Sequence, residues 1–209
     1  MEKSQVTSHR ACPELAEGSK VPPGVRPGAT ILELAVSIAI ASIMFTILGA
    51  IFLAQGRFVA IHDAISETQL ASFNALDGAG LYTQSARAIV ASATVNGTAY
   101  VTGNELVILE LPSIDASDEI IVSTYDYVAI GLNPSATNTF IIDVDADPAS
   151  SRTDLTRTMT DLVDKVIFRY NAVDATEANA FDLYIRALKD ARGSAVTTPV
   201  GRIYYLGSS

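Results

Sequence analysis

Tryptophan is absent from this 209-residue chain, cysteine occurs once, at Cys12, and histidine twice, at His9 and His62. One thiol excludes an intramolecular disulfide, and this inventory cannot assemble a Cys/His zinc site. A Ser-His-Asp or Cys-His site would need His9 or His62, and neither lies in a stretch that reads as pocket-forming. Positive charge is also scarce: 14 Lys and Arg stand against 23 Asp and Glu, a net charge of -9. Binding along a phosphate backbone therefore has no electrostatic basis, and no nucleic-acid partner is expected. Charged residues make up only 18% of the chain and hydrophobic ones 49%, which excludes a disordered chain and points to a buried or membrane segment.

That excess is concentrated. From Leu34 to Ala54 no charged residue occurs in LAVSIAIASIMFTILGAIFLA. As a helix rising about 1.5 Å per residue, this run is about 31 Å long, close to the roughly 30 Å of a bilayer hydrocarbon core. Apolar residues cover every face, whereas a helix in a soluble domain keeps a polar one. A cleaved secretory signal has an apolar stretch of only about 7–15 residues, so the helix is expected to remain in the mature protein. Lys3, Arg10, Lys20 and Arg26 outnumber Glu2, Glu14 and Glu17 upstream, which places the N-terminus in the cytoplasm and everything after Arg57 outside it.

Glu33 breaks the apolar pattern one turn inside the hydrophobic stretch, where an ionised carboxylate calls for a cationic partner or for the headgroup layer. The segment Gly28-Ala29-Thr30-Ile31-Leu32-Glu33-Leu34, preceded by basic residues and followed by the apolar run, resembles the N-terminal signal of type IV prepilins and type II secretion pseudopilins. The resemblance covers about Arg26 to Ala54. It implies a leader over residues 1–28 cut after Gly28 by prepilin peptidase, N-methylation of Ala29 by the same enzyme, and an assembly role for Glu33. Cleavage would create an α-amine at Ala29, and in a staggered helix bundle that amine can meet the Glu33 carboxylate of a neighbouring subunit. The implied partners are prepilin peptidase, other pilin or pseudopilin subunits, the inner-membrane assembly platform and membrane lipid. No cofactor or catalytic residue is implied. Two positions depart from the family pattern: Pro27 separates Arg26 from Gly28, and Ala29 replaces the more usual Phe or Met.

Beyond the transmembrane helix, residues 29–54, an extracytoplasmic domain is expected over residues 55–209. Phe58, Ile61, Ile65, Phe73 and Leu76 recur at spacings compatible with one helical face, with Gly78 and Gly80 ending the helix near residue 80. The period then shifts to two. Glu105–Leu111, Ile120–Ile130, Thr139–Val144, Val163–Asn171, Phe181–Leu188 and Val200–Leu206 read as strands separated by Gly, Pro, Asn and Asp. Residues 85–93 fit a short helix or a strand equally. The fold class expected is α+β, a long N-terminal helix packed on an antiparallel sheet over residues 100–209, as in pilins. The stretches from Val166 to Tyr170, Asp182 to Ile185 and Val200 to Tyr205 resemble the sheet of J-type pseudopilins and PilW-like minor pilins.

Asp143, Asp145, Asp147 and Asp154 stand at positions one, three, five and twelve of a run like a calcium loop. Pro148 replaces the glycine of the sharp turn and Asp154 is shorter than the usual bidentate Glu, so a solvated acidic loop is the plainer reading and no metal site is assigned. Asn96-Gly97-Thr98 fits a glycosylation sequon but reads better as a turn. His62 reads as an ordinary surface histidine. The main reading is a structural subunit that catalyses nothing. The alternative is a single-pass anchored extracytoplasmic binding module that does not polymerise, which tolerates any neutral residue at Glu33.

Overall fold

The structure is a computed structural model that describes residues 30–207. The expected leader over residues 1–28, Gly28 included, and Ala29 lie outside the described residues. The architecture is α+β: one long apolar N-terminal helix, α1 (Ile31–Thr83), and ten strands in antiparallel pairing. The chain forms two compact units, Met1–Gly49 and Ala50–Ser209.

In the first unit, α1 starts after Thr30 and runs without interruption, in keeping with a sequence free of proline from Gly28 to Leu111. Every described residue of this unit is exposed. Among the described residues α1 is the one helix long and apolar enough to cross a membrane, and its most apolar window has a mean hydropathy of 2.5 with no residue buried.

In the second unit, the strands are β1 (Ala88–Ile89), β2 (Ser92–Val95), β3 (Thr98–Val101), β4 (Leu106–Ile114), β5 (Ile120–Leu132), β6 (Phe140–Asp145), β7 (Leu155–Thr160), β8 (Val163–Tyr170), β9 (Ala180–Ala191) and β10 (Ser194–Tyr205). They form three sheets, ordered β1-β4-β5-β6-β7, β10-β9-β8 and β2-β3, where the sequence suggested a single one. Residues 85–93 resolve as a loop entering β1 and β2 rather than a helix.

The period-two pattern explains how β4 is used. Val107, Leu109 and Leu111 point into a main core with Leu76, Ile130, Phe140, Phe168, Phe181 and Leu183, while Leu106 and Ile108 point into a second cluster with Val95, Tyr100, Ala129 and Ile141. The β2–β3 hairpin covers that second face, so β4, the Val128–Gly131 end of β5 and β6 are buried on both sides and read as nearly continuous apolar runs. The hairpin itself turns on Asn96 and Gly97, with φ of 47° and 76°, the signs of a type I′ turn.

The packing of α1 corrects the expectation drawn from its large residues. Phe58, Ile61, Ile65 and Phe73 are exposed, and of the five predicted inward residues only Leu76 is buried. The buried face is instead built from Ala64, Thr68, Ser72, Ala75, Gly78 and Ala79, preceded by the half-buried Gly56 and Ala60. Small side chains bring the helix backbone close to the strands. A Cβ on Gly78 would lie 2.6 Å from Met159 Cε, and one on Gly80 would lie 3.3 Å from Tyr204 Cε1. Gly78 and Gly80 therefore serve close approach and do not end the helix, which continues to Thr83. There the Thr83 hydroxyl donates to the Gly80 carbonyl, and the amides of Ser85 and Ala86 donate to the carbonyls of Tyr82 and Thr83.

Candidate functional site

Among the expected processing residues, only Glu33 falls within the described part of the chain. It closes a reciprocal cap at the start of α1: the Thr30 amide donates to Glu33 Oε2 at 3.0 Å, and the Glu33 amide donates to Thr30 Oγ1 at 3.2 Å. This is the Ser/Thr-x-x-Glu capping box, which satisfies backbone donors that the first helical turn leaves unpaired. A carboxylate at this end is also favoured by the helix dipole. Glu33 thus holds a task within its own chain before any neighbour is considered, and the signal for it, Thr30 three residues ahead of Glu33, was present in the sequence.

Along the apolar run, hydroxyls are absorbed by the helix. Ser42 donates to the Ile38 carbonyl and Thr46 to the Ser42 carbonyl, both at 2.8 Å. Such back-bonding leaves little polar surface to oppose a hydrocarbon environment.

Within the second unit, the exposed side of α1 carries large apolar groups: Phe58 and Leu70 keep more than 60% of their surface accessible, and Val59, Phe73 and Leu81 are also exposed. Four ties hold the opposite side. Lys189 pairs with Glu67, Arg202 donates to Asp77 at 2.6 Å, the Thr68 and Thr198 hydroxyls are 2.7 Å apart, and the Tyr204 hydroxyl donates to the Leu76 carbonyl at 2.5 Å. His62 lies exposed on α1 with its ring 6.4 Å from that of Phe58.

The four aspartates do not converge. Asp143 is buried, accepting from Asn96 Nδ2 and Thr156 Oγ1 at 2.7 Å on one oxygen and from the Tyr100 hydroxyl at 2.9 Å on the other. Asp145 accepts from the Asn96 amide, Asp147 from the Ala149 amide and Asp154 from the Ala146 amide. They hold the loop and the β2–β3 hairpin together, and among the described residues no group of three or more such side chains is arranged to hold a metal ion. The Asn96 amide nitrogen also donates to the Val144 carbonyl, so the sequon side chain is already engaged.

Sequence reasoning passed over Asp126, which organises this region. Its side chain is fully buried and accepts from Arg152 Nη1 at 2.6 Å, Ser113 Oγ at 2.7 Å, the Asp147 amide at 2.9 Å and Ser150 Oγ at 2.9 Å. Burial pushes its carboxyl pKa up, but these donors outweigh burial and hold it below the ordinary aspartate value. Arg152 also donates to the Pro112 carbonyl at 2.6 Å, locking loop 146–152 onto β4 and β5. Burial and the bond to Asp143 raise the Tyr100 phenol to about 12.

A recess of about 830 Å³ lies between β3 and loop 133–138, with Tyr100, Asn104, Glu105, Asn133 and Asn138 among its lining. The Tyr100 hydroxyl on its wall is committed to Asp143. The sequence matches no protein-family model, no curated protein and no solved structure.

Proposed function

We propose that this chain is a minor pilin or pseudopilin: a structural subunit inserted in the inner membrane as a precursor, cleaved after Gly28 by prepilin peptidase, N-methylated on Ala29, and assembled through α1 into a type IV pilus or a type II secretion pseudopilus. In the membrane it is a single-pass protein with its N-terminus inside and the domain from residue 55 outside.

The observation that carries this reading is the division of labour on α1. The helix spends its small residues on its own sheets and leaves Phe58, Val59, Leu70, Phe73 and Leu81 uncovered beyond the apolar run. Large apolar side chains in an aqueous compartment favour burial against another surface, and helices of further subunits supply one. The prepilin-like segment around Gly28 and Glu33 supports the same conclusion, since it provides the means of processing. A solitary anchored module leaves that uncovered face without a role.

Mass spectrometry of the chain purified from cells with an active prepilin peptidase tests the reading. The expected N-terminus is a methylated Ala29. A native chain that retains residues 1–28 overturns it.

A further inference from the structure

The second unit carries ten Lys and Arg from Arg57 onward against nineteen Asp and Glu. Arg152, Arg186, Lys189 and Arg202 are used in internal ion pairs, and the Arg87 side chain lies over the Tyr125 ring and bonds its hydroxyl. Arg57, Arg157, Lys165, Arg169 and Arg192 have no ion pair among the described residues, and although Arg57 and Arg192 are far apart in sequence, the fold brings these two to one level of the molecule. Arg57 follows the end of the apolar run at Ala54 by three residues. Arg192 sits at the tip of the β9–β10 hairpin, and a Cβ on Gly56 would lie 3.1 Å from its Nη1.

The placement of Arg192 is built. It occupies a two-residue turn with φ of 53°, followed by Gly193 at 81°, positions where Asn, Asp or Gly meet less backbone strain. The half-buried Gly56 and Ala60 let the hairpin reach this far down the helix. Of the carboxylates on the same elements, Glu67 is neutralised by Lys189 and Asp63 stands nearly two turns further along α1, while Asp190 accepts from the Gly193 amide and keeps its charge at the hairpin tip. Exposed Phe52, Leu53 and Phe58 flank Arg57 along the helix.

The vertical scale fits a membrane surface. Three residues beyond Ala54 correspond to a rise of about 4.5 Å. The headgroup layer on each side of the roughly 30 Å hydrocarbon core is on the order of 5–7 Å thick. We infer that Arg57 and Arg192 form a basic foot that seats the second unit on anionic phospholipid headgroups, orienting an otherwise acidic domain on the bilayer while the subunit awaits assembly. This rests on the membrane-spanning reading of the apolar run and adds to it a lipid-charge preference. Each arginine near an anionic surface contributes about fivefold to the seated population, and salt screens the effect.

The test uses the full-length chain in lipid nanodiscs of phosphatidylcholine alone or with about a third phosphatidylglycerol, a content high enough to give the surface potential on which that fivefold rests. Amide hydrogen exchange is followed at two places. Exchange over residues 190–195 is expected to slow severalfold when phosphatidylglycerol is present, and to lose that dependence at high salt and in the R57Q/R192Q double variant. The R57K/R192K variant, which keeps charge, is expected to restore it. Equal exchange in the two lipid mixtures, or a lipid effect that persists in the double Gln variant, overturns the basic foot. Exchange over Leu34–Ala54 reads the underlying premise separately: a run protected in both lipids with an indifferent hairpin sinks only the foot, whereas an unprotected run sinks the membrane span and the foot with it.

Discussion

Glu33 holds two separable tasks, and a conservative substitution divides them. Glu33→Gln keeps a side-chain oxygen able to accept from the Thr30 amide, 3.0 Å from the carboxylate, and leaves the Glu33 amide donating to Thr30 Oγ1. The cap survives and only the charge is lost. A cap of this kind is worth about 1 kcal/mol. The proposed pairing with a neighbour's Ala29 amine is larger: at an effective dielectric near 20, unit charges about 4 Å apart attract by about 4 kcal/mol. If desolvation removes half of that, about 2 kcal/mol is left, or roughly thirtyfold in the incorporation of a subunit. The assay is recovery of chain in sheared filaments relative to the membrane fraction, with insertion and leader removal checked in the same cells. Glu33→Gln is expected to insert normally and to fall about thirtyfold in filaments, close to Glu33→Ala. Thr30→Ala, which weakens the cap and keeps the charge, is expected to stay within severalfold of the parent. Wild-type filament recovery by Glu33→Gln would refute the charge pairing and leave Glu33 as a helix cap alone.

Four further outcomes follow from the second unit. Asp126→Ala strands the Arg152 guanidinium and three other donors, and breaking a buried pair of this kind costs about 3 kcal/mol or more, readable as a reduced urea midpoint. Because the Asp126 pKa is lowered on folding, its contribution is complete above the ordinary value near 4 and is lost as pH falls through the folded value; Asp126→Asn is expected to remove that part of the acid slope. Gly131, at φ 153°, leaves no room for a side chain, since a Cβ there would lie 2.3 Å from the Glu105 carbonyl oxygen, so Gly131→Ala is expected to lower Tm by about 6 °C or more. Tyr100 and Tyr204 are raised to about 12, mainly by burial, so their neutral forms stabilise the fold below about pH 10; that stability is lost as pH rises from 10 through 12, and circular dichroism and phenolate absorbance should change together over that window.

The sequence disclosed the α+β plan because its strongest signals were local ones: a run without charge, then alternation in segments such as Val107–Leu111 and Phe181–Ile185. It misplaced the packing face of α1 for a physical reason. Periodicity weights large apolar residues, so it points to the face of Phe58, Ile61, Ile65 and Phe73, whereas contact is decided by how near two backbones can come. Gly78 and Ala79 allow that approach and large residues prevent it. The strand β7, Leu-Thr-Arg-Thr-Met-Thr, went unread because at a sheet edge its residues are mostly exposed and polar. The start of β10 at Ser194 was hidden in the same way, by Thr197, Thr198 and Pro199, although Arg192-Gly193 was a turn signal in view.

The acidic loop marks the limit of reading chemistry from spacing. Aspartates at alternate positions suggest convergence on an ion only if they stay on one side of a loop. Here Asp143 belongs to β6, and the pleat turns it toward the β2–β3 hairpin, where Tyr100 and Asn96 arrive from more than forty residues away and Thr156 joins them from the neighbouring strand β7. Asp126 is the converse: isolated in sequence inside a β-strand pattern, it became a hub because loop 146–152 folds over it and supplies Arg152, Ser150 and the Asp147 amide. Both aspartates owe their surroundings to contacts across 13 to 47 residues, beyond any single helical turn or hairpin loop. The Thr30–Glu33 cap needs only one helical turn, and for that reason it could have been read at the outset from four consecutive residues.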